Sequence, residues 1–189
     1  KELKPTVGDE TVLFIDGVHQ NQATKNSYGW IRKGQKKSVK TTGSRTRLNI
    51  MGALDLKAPE HPLICEYKTI NEYNVSRFFN EIRKVYPDYN QKIHVILDGA
   101  GYHRSQLVKD WAEVVNIQLH SLPPYSPNLN PIERMWKLMN EHARNNRYFS
   151  STREFRDAIF EFFSHTLPGI ADSLASRIND HFQVLKPAS

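Results

Sequence analysis

Apolar positions along this chain come in two periodicities, short bounded runs and longer stretches spaced three or four apart. Val12–Ile15, Ile93–Leu97 and Ile117–Leu122 are short runs that read as strands; Ile93–Leu97 lacks clean alternation, as expected of a strand covered on both faces. Tyr28–Ile31 and Leu48–Leu56 read as two more strands, joined by a polar stretch with Gly34 and Gly43 as turn points. Pro62–Tyr67 extends the same sheet. Val75, Phe78, Phe79, Ile82 and Val85 recur at helical spacing, and Pro87 stops that helix. Ser105 is placed to cap a helix carrying Leu107, Trp111 and Val114.

After a Pro-rich loop, Pro131 stands at the first position of a helix, where a missing N–H costs nothing, and Ile132, Met135, Trp136 and Met139 form its apolar stripe. Thr152 to about Thr166 is a helix with Phe155, Ile159, Phe162 and Phe163 inward, broken by Pro168; Ile170–Phe182 adds a short last helix. Residues 1–10, polar with Pro5 and Gly8, read as a leader or linker. Three strands, helix, strand, helix, strand, helix and a helical tail predict one α/β domain over residues 11–189: a mixed sheet flanked by helices, with a C-terminal helical extension.

Composition narrows the classes. At 189 residues the chain can bury a full core. It begins with Lys1 and not Met, so it is expected to be a piece of a longer protein. No apolar stretch approaches the roughly 20 residues that span a bilayer, and no signal peptide is visible, so an intracellular protein without membrane contact is expected. Cys65 is the only cysteine, which excludes an internal disulfide and a cysteine-based zinc cluster.

The net charge of +6 is concentrated. Arg32, Lys33, Lys36, Lys37, Lys40, Arg45 and Arg47 fall in one stretch without an acid, and the rest of the chain holds 19 basic against 20 acidic residues. Such a run is either a solvated hairpin or a strip that meets phosphate backbone.

Three acids carry candidate chemistry. Asp16 follows the first apolar run, Asp98 follows Ile93–Leu97, and Glu133 opens the helix after the Pro-rich loop. Carboxylates at strand ends and a helix start can converge, and hard Mg²⁺ prefers such oxygen donors for phosphodiester chemistry. The element order matches a ribonuclease-H-like domain, whose metals are held at these places. Each acid also has a plainer explanation. Asp-Gly is a frequent turn pair, at 16–17 and 98–99, and Asn130 with Glu133 has capping-box spacing. His103 lies five residues after Asp98, where it is a candidate hydrogen-bond donor near the scissile phosphate; His19 reads as a polar turn residue.

Leu122-Pro-Pro-Tyr-Ser-Pro-Asn-Leu-Asn-Pro-Ile-Glu-Arg-Met-Trp136 resembles the signature of the mariner superfamily of DDE transposases, most closely its bacterial insertion-sequence branch. The 34 residues between Asp98 and Glu133, Tyr28-Gly-Trp30 with Lys33-Gly34, and Gly52-Ala53 also fit, over roughly residues 11 to 165. The resemblance implies a catalytic domain for cut-and-paste DNA transposition. Asp16, Asp98 and Glu133 would be both catalytic residues and metal ligands, holding two Mg²⁺ ions with Mn²⁺ as an alternative. Arg32, Lys33, Lys36, Lys37, Lys40, Arg45 and Arg47 would contact DNA. The implied partners are element ends, target DNA and a second copy in a homodimeric synaptic complex. The implied location is cytoplasmic and nucleoid-associated, and end-recognition modules of helix-turn-helix type lie outside this chain.

Gly17 and Gly99 depart from the pattern, since many relatives carry Glu and Asn there. Two other readings stand beside this one: a different ribonuclease-H-like nuclease, which would lack the Pro-rich signature, and a domesticated or inactive transposase-derived protein that binds DNA without cutting.

Overall fold

The computed structural model describes residues 10–27, 32–35, 38–124 and 126–180. Among these residues five strands form one sheet: β1 (Thr11–Asn21), β2 (Arg47–Asp55), β3 (Leu63–Tyr67), β4 (Ile93–Leu97) and β5 (Ile117–Ser121), in the order β3-β2-β1-β4-β5. β1, β2 and β3 pair antiparallel, and β4 and β5 add in parallel on the other side of β1. The parallel connections are made by α1 (Glu72–Val85) and α2 (Gln106–Val114), which cover one face of the sheet. α3 (Ile132–Met139) and α4 (Thr152–Glu161) cover the other.

Alternation along the strands assigns the faces. Leu13, Ile15, Val95 and Leu97 pack with Val75, Phe78, Phe79 and Ile82 of α1 and with Val108 and Ala112 of α2. Phe14, Leu48, Ile50 and Leu54 pack with Ile132, Met135, Trp136 and Met139 of α3 and Phe155 and Ile159 of α4. Asp16 shares the parity of Phe14, so its side chain turns toward the face that α3 covers. Asp98, one residue past β4, has the parity of Ile96 and turns the same way.

The helix starts follow their local chemistry. Asn71 accepts from the Asn74 N–H at the head of α1, Ser105 from Val108 at α2, and Ser151 from Glu154 at α4, each satisfying a donor that has no partner inside the helix.

The structure differs from the sequence reading at several places. β1 does not stop at Ile15 but runs on to Asn21, because β2 continues its ladder (Asp16 opposite Gly52, Asn21 opposite Arg47) after β4 has ended its pairing at Phe14. Asp16 is therefore a strand residue and not a turn residue. The strand expected at Tyr28–Ile31 lies outside the described residues, and the described part of 32–46 contains no strand. Gly34 does turn the chain there, at φ +88, with Gln35 N–H donating to the Arg32 carbonyl at 3.0 Å.

Pro168 does not end the helical path. The coil widens to a π turn at Phe162–Thr166, and Pro168 then falls in the first positions of a new short turn, α5 (Leu167–Gly169), where its lost N–H is tolerated. The last helix among the described residues, α6, is Ala171–Arg177; of the helix expected over Ile170–Phe182, residues 178–180 are not helical and 181–182 lie outside the described residues. No helix among the described residues is long and apolar enough to cross a membrane.

Candidate active site

The three acids arrive from three elements. Asp16 sits in β1 beside the end of β4, Asp98 follows β4, and Glu133 lies in the first turn of α3. All lie at the end of the sheet where β1 and β4 finish their parallel pairing.

Asp16 is only 8% exposed. The indole Nε1–H of Trp136 donates to its Oδ2 at 2.9 Å. Burial, then the charge of Glu133, drives its carboxyl from 3.8 up to about 7, against the opposing pull of the Trp136 and Gly17 donors; Asp98 adds a smaller push. Trp136, expected only as core, is thus core with a polar handle. Its ring needs room: a Cβ at Gly52 would stand 2.7 Å from Trp136 Cη2 and 3.1 Å from Ile132 Cδ1. Gly52 faces Asp16 across the β1–β2 ladder, so the missing side chain there lets the indole reach the acid.

Asp98 is held differently. His103 Nδ1 lies 2.9 Å from its Oδ1, and the Ala100 N–H donates to the same oxygen at 3.0 Å. The His103 bond, with that backbone donor, holds the carboxyl below the usual range despite partial burial. Glu133 is exposed at the start of α3, and partial desolvation, then the charge of Asp98, pushes its carboxyl up.

The capping-box explanation of Glu133 fails in the structure. The start of α3 has no side-chain cap, and Asn130 instead donates from Nδ2 to the Ile15 carbonyl at 3.2 Å, tying the Pro-rich loop to β1 one residue before Asp16. The Glu133 carboxylate takes no hydrogen bond among the described residues. A cavity of about 500 Å³ is lined by Asp98, Glu133, Arg104, Asn130, Ser126, Pro123 and Pro124. A larger cleft, about 720 Å³, runs along the free edge of β3 and contains none of the three acids.

Asp16, Asp98 and Glu133 are near enough for each to feel another's charge. They do not close into a ready three-donor cluster. Among the described residues no group of three His, Cys, Asp or Glu side chains stands at metal-holding separations; Asp16 leans on Trp136 and Asp98 on His103. The donor chemistry nevertheless fits a hard divalent cation: three carboxylates, no thiol, and two acids, Asp16 and Glu133, pushed upward by desolvation and neighbouring negative charge that a cation would relieve.

His103, expected near the scissile phosphate, is 2% exposed and turned onto Asp98. His19 bonds Asn49 Oδ1 at 2.7 Å in mid-strand. Arg104, which sequence reading passed over, enters the cavity with the acids. Gly17 leaves a space that Ile70 fills, its Cδ1 standing 2.8 Å from a Cβ built there; Gly99 borders open space.

Of the basic strip, Arg32, Lys33, Lys40, Arg45 and Arg47 are exposed, while Lys36 and Lys37 lie outside the described residues. The strip belongs to the connection between Asn21 and Arg47, which leaves β1 and rejoins β2 at the end of the sheet that carries the acids.

The family described as DDE superfamily endonuclease matches residues 11–156. An "Insertion element IS630 uncharacterized 39 kDa protein" of Shigella sonnei is 23% identical over 171 residues, covering 89% of this chain and 49% of that protein. The transposable element Tcb2 transposase of Caenorhabditis briggsae is 34% identical over 53 residues, covering 28% of this chain and 19% of that protein. The chain spans half or less of the length of these curated relatives. Among solved structures, the catalytic domain of Mos1 mariner transposase superposes with a TM-score of 0.58 at 15% identity, covering 92% of this chain and 85% of that one. The chain in the Mos1 strand transfer complex gives 0.62 at 16%, covering 92% and 56%. These likenesses show the ribonuclease-H-like fold. The chain therefore belongs to the DDE superfamily endonuclease family.

Proposed function

We propose that residues 11–189 are the catalytic unit of a DNA transposase, cutting the strand at an element end and joining the freed 3′-OH to target DNA. The observation that carries this reading is the meeting of Asp16, Asp98 and Glu133 at one end of the sheet, two of them on a shared cavity with Arg104. Asp16, Asp98 and Glu133 would hold two Mg²⁺ or Mn²⁺ ions; paired-end complexes of Mos1 are solved with Mn and with Mg. Bound there, the ions would ease deprotonation of the attacking oxygen and neutralise charge on the leaving one.

The chain's own residues supply the rest. Trp136 and His103 orient two of the carboxylates. Asn130 fixes the loop from which Glu133 starts. Arg104 offers a cation to the phosphate that enters beside the acids. Arg32, Lys33, Lys36, Lys37, Lys40, Arg45 and Arg47 would grip duplex backbone without reading sequence. Element ends would be read by helix-turn-helix modules outside this chain, within a homodimeric synaptic complex at the nucleoid; a Mos1 transposase paired-end complex is solved with the left transposon end.

The test is nicking of supercoiled plasmid carrying an element end by the full-length gene product. Mg²⁺ and Mn²⁺ should support cleavage. Ca²⁺, with its longer and looser oxygen shell, should bind and support little. Equal cleavage in Mg²⁺ and Ca²⁺, or cleavage without any divalent ion, would refute the carboxylate-metal reading; DNA binding without cleavage in any ion would favour the non-cutting alternative.

A further inference from the structure

The short 3₁₀ turn Gly101–Arg104 sends two consecutive side chains in opposite directions. Arg104 is exposed and lines the cavity, while His103 is buried. His103 Nδ1 meets Asp98 Oδ1 at 2.9 Å, and Ala100 N–H meets the same oxygen at 3.0 Å. An ionised carboxylate only accepts, so Nδ1 carries the hydrogen. Both donors fall on Oδ1. Asp98 Oδ2 is left without a hydrogen bond among the described residues, on a side chain that is half exposed and borders the cavity.

The other imidazole nitrogen gives the second line of argument. His103 Nε2 is buried and has no partner among the described residues. A buried nitrogen left unpaired is a cost that an apolar side chain of similar size would avoid. The imidazole is therefore not explained by packing, although Tyr102 holds its ring edge-on at 4.5 Å. What accounts for it is the hold that Nδ1 has on Asp98, on Oδ1 at 2.9 Å and more loosely on the backbone carbonyl at 3.3 Å.

We propose that His103 is a positioning residue for the metal site: it fixes Asp98 so that Oδ1 is occupied by the protein and Oδ2 is presented to the divalent cation. This rests on the reading of Asp98 as a metal ligand. Partners that orient a ligand in this way change metal affinity roughly 10–100-fold when removed.

The experiment is calorimetric titration of the metal-free chain with Mn²⁺, for wild type, Asp98→Asn, His103→Leu, His103→Asn and His103→Gln, with circular dichroism to confirm folding. Wild type should bind and Asp98→Asn should bind far more weakly. His103→Leu should lose roughly 10–100-fold in affinity. His103→Asn places an amide near the old Nδ1 and should restore most of it, whereas His103→Gln extends its amide toward the old Nε2 and should not. In nicking assays, His103→Leu should raise the Mg²⁺ concentration for half-maximal rate more than it lowers the rate at saturating Mg²⁺. Wild-type Mn²⁺ affinity in His103→Leu, alongside weak binding by Asp98→Asn, would overturn this inference alone. Equal affinities for the Asn and Gln variants would do the same, even if the Leu variant failed to fold. Equal Mn²⁺ binding by wild type and Asp98→Asn would overturn the metal reading and this inference with it.

Discussion

Replacing Asp16 by Asn should make the metal-free protein more stable at neutral and alkaline pH. Asp16 is buried, and its carboxyl is raised from 3.8 to about 7, chiefly by that burial and then by Glu133. A carboxyl whose folded value lies above its unfolded value binds its proton more tightly in the folded state. Below pH 3.8 it therefore carries no penalty; as pH rises through the window from 3.8 to about 7 the folded state loses ground, and above 7 the loss is complete. At about 1.4 kcal/mol per pH unit the loss is on the order of 4 kcal/mol. In a domain of this size that corresponds to a melting temperature lower by roughly 8–16 °C. Asn keeps an oxygen to accept from the Trp136 indole but cannot ionise, so the variant should escape the loss. The assay is thermal melting of both proteins in chelator at pH 4 and pH 8, repeated at pH 8 with Mg²⁺. The curves should nearly coincide at pH 4, separate at pH 8 with the variant higher, and converge again when Mg²⁺ stabilises the wild type. A variant no more stable than wild type at pH 8 would refute the claim that this acid is buried at a cost that a cation relieves.

Gly52→Ala should destabilise by roughly 1–3 kcal/mol, because the new methyl meets the Trp136 ring at 2.7 and 2.9 Å where the bond to Asp16 holds it in place. Urea denaturation checks the stability, and fluorescence of the three tryptophans checks that an indole has moved. A neutral effect on both would show that the ring does not depend on the glycine. Changing Lys40 and Arg45 together to Ala should weaken binding to two unrelated duplexes alike. It should also flatten the slope of log affinity against log salt by about 1.8, since each phosphate contact contributes roughly 0.9. An unchanged slope would leave the strip as a solvated connection, and a loss confined to one duplex would reveal base readout.

The sheet and its helices were largely readable because they depend on local patterns. The bounded run Ile93–Leu97 and the period of Val75, Phe78, Phe79 and Ile82 each bury a face whatever the rest of the chain does. The acids stood out because Glu133 follows a distinctive loop and Asp16 and Asp98 each follow a bounded apolar run. What sequence concealed is what depends on partners distant along the chain. The polar half of β1 is strand only because β2 continues its ladder. Asn130 has a cap's spacing, yet Ile15, 115 residues away, offers its side chain a better bond inside the fold. Trp136 on a helical stripe looks like core alone until Gly52 and Asp16 are brought beneath it. His103 has no pattern that marks it as buried, since a short 3₁₀ turn offers no period to read. The Gly52-Ala53 pair was visible as a family feature, but its reason, clearance for an indole, required the register of β1 on β2.

The central claim is that the three carboxylates serve chemistry and not folding, and Asp98→Asn tests it most directly when melting and plasmid nicking are measured on the same preparation. Without its charge Asp98 no longer repels Glu133, whose carboxyl it helps to raise, and Asn can still accept from the Ala100 N–H. The account predicts a melting temperature equal to or slightly above that of wild type in chelator, with Mg²⁺-dependent nicking abolished. Retained nicking, or a melting curve that collapses, would contradict it.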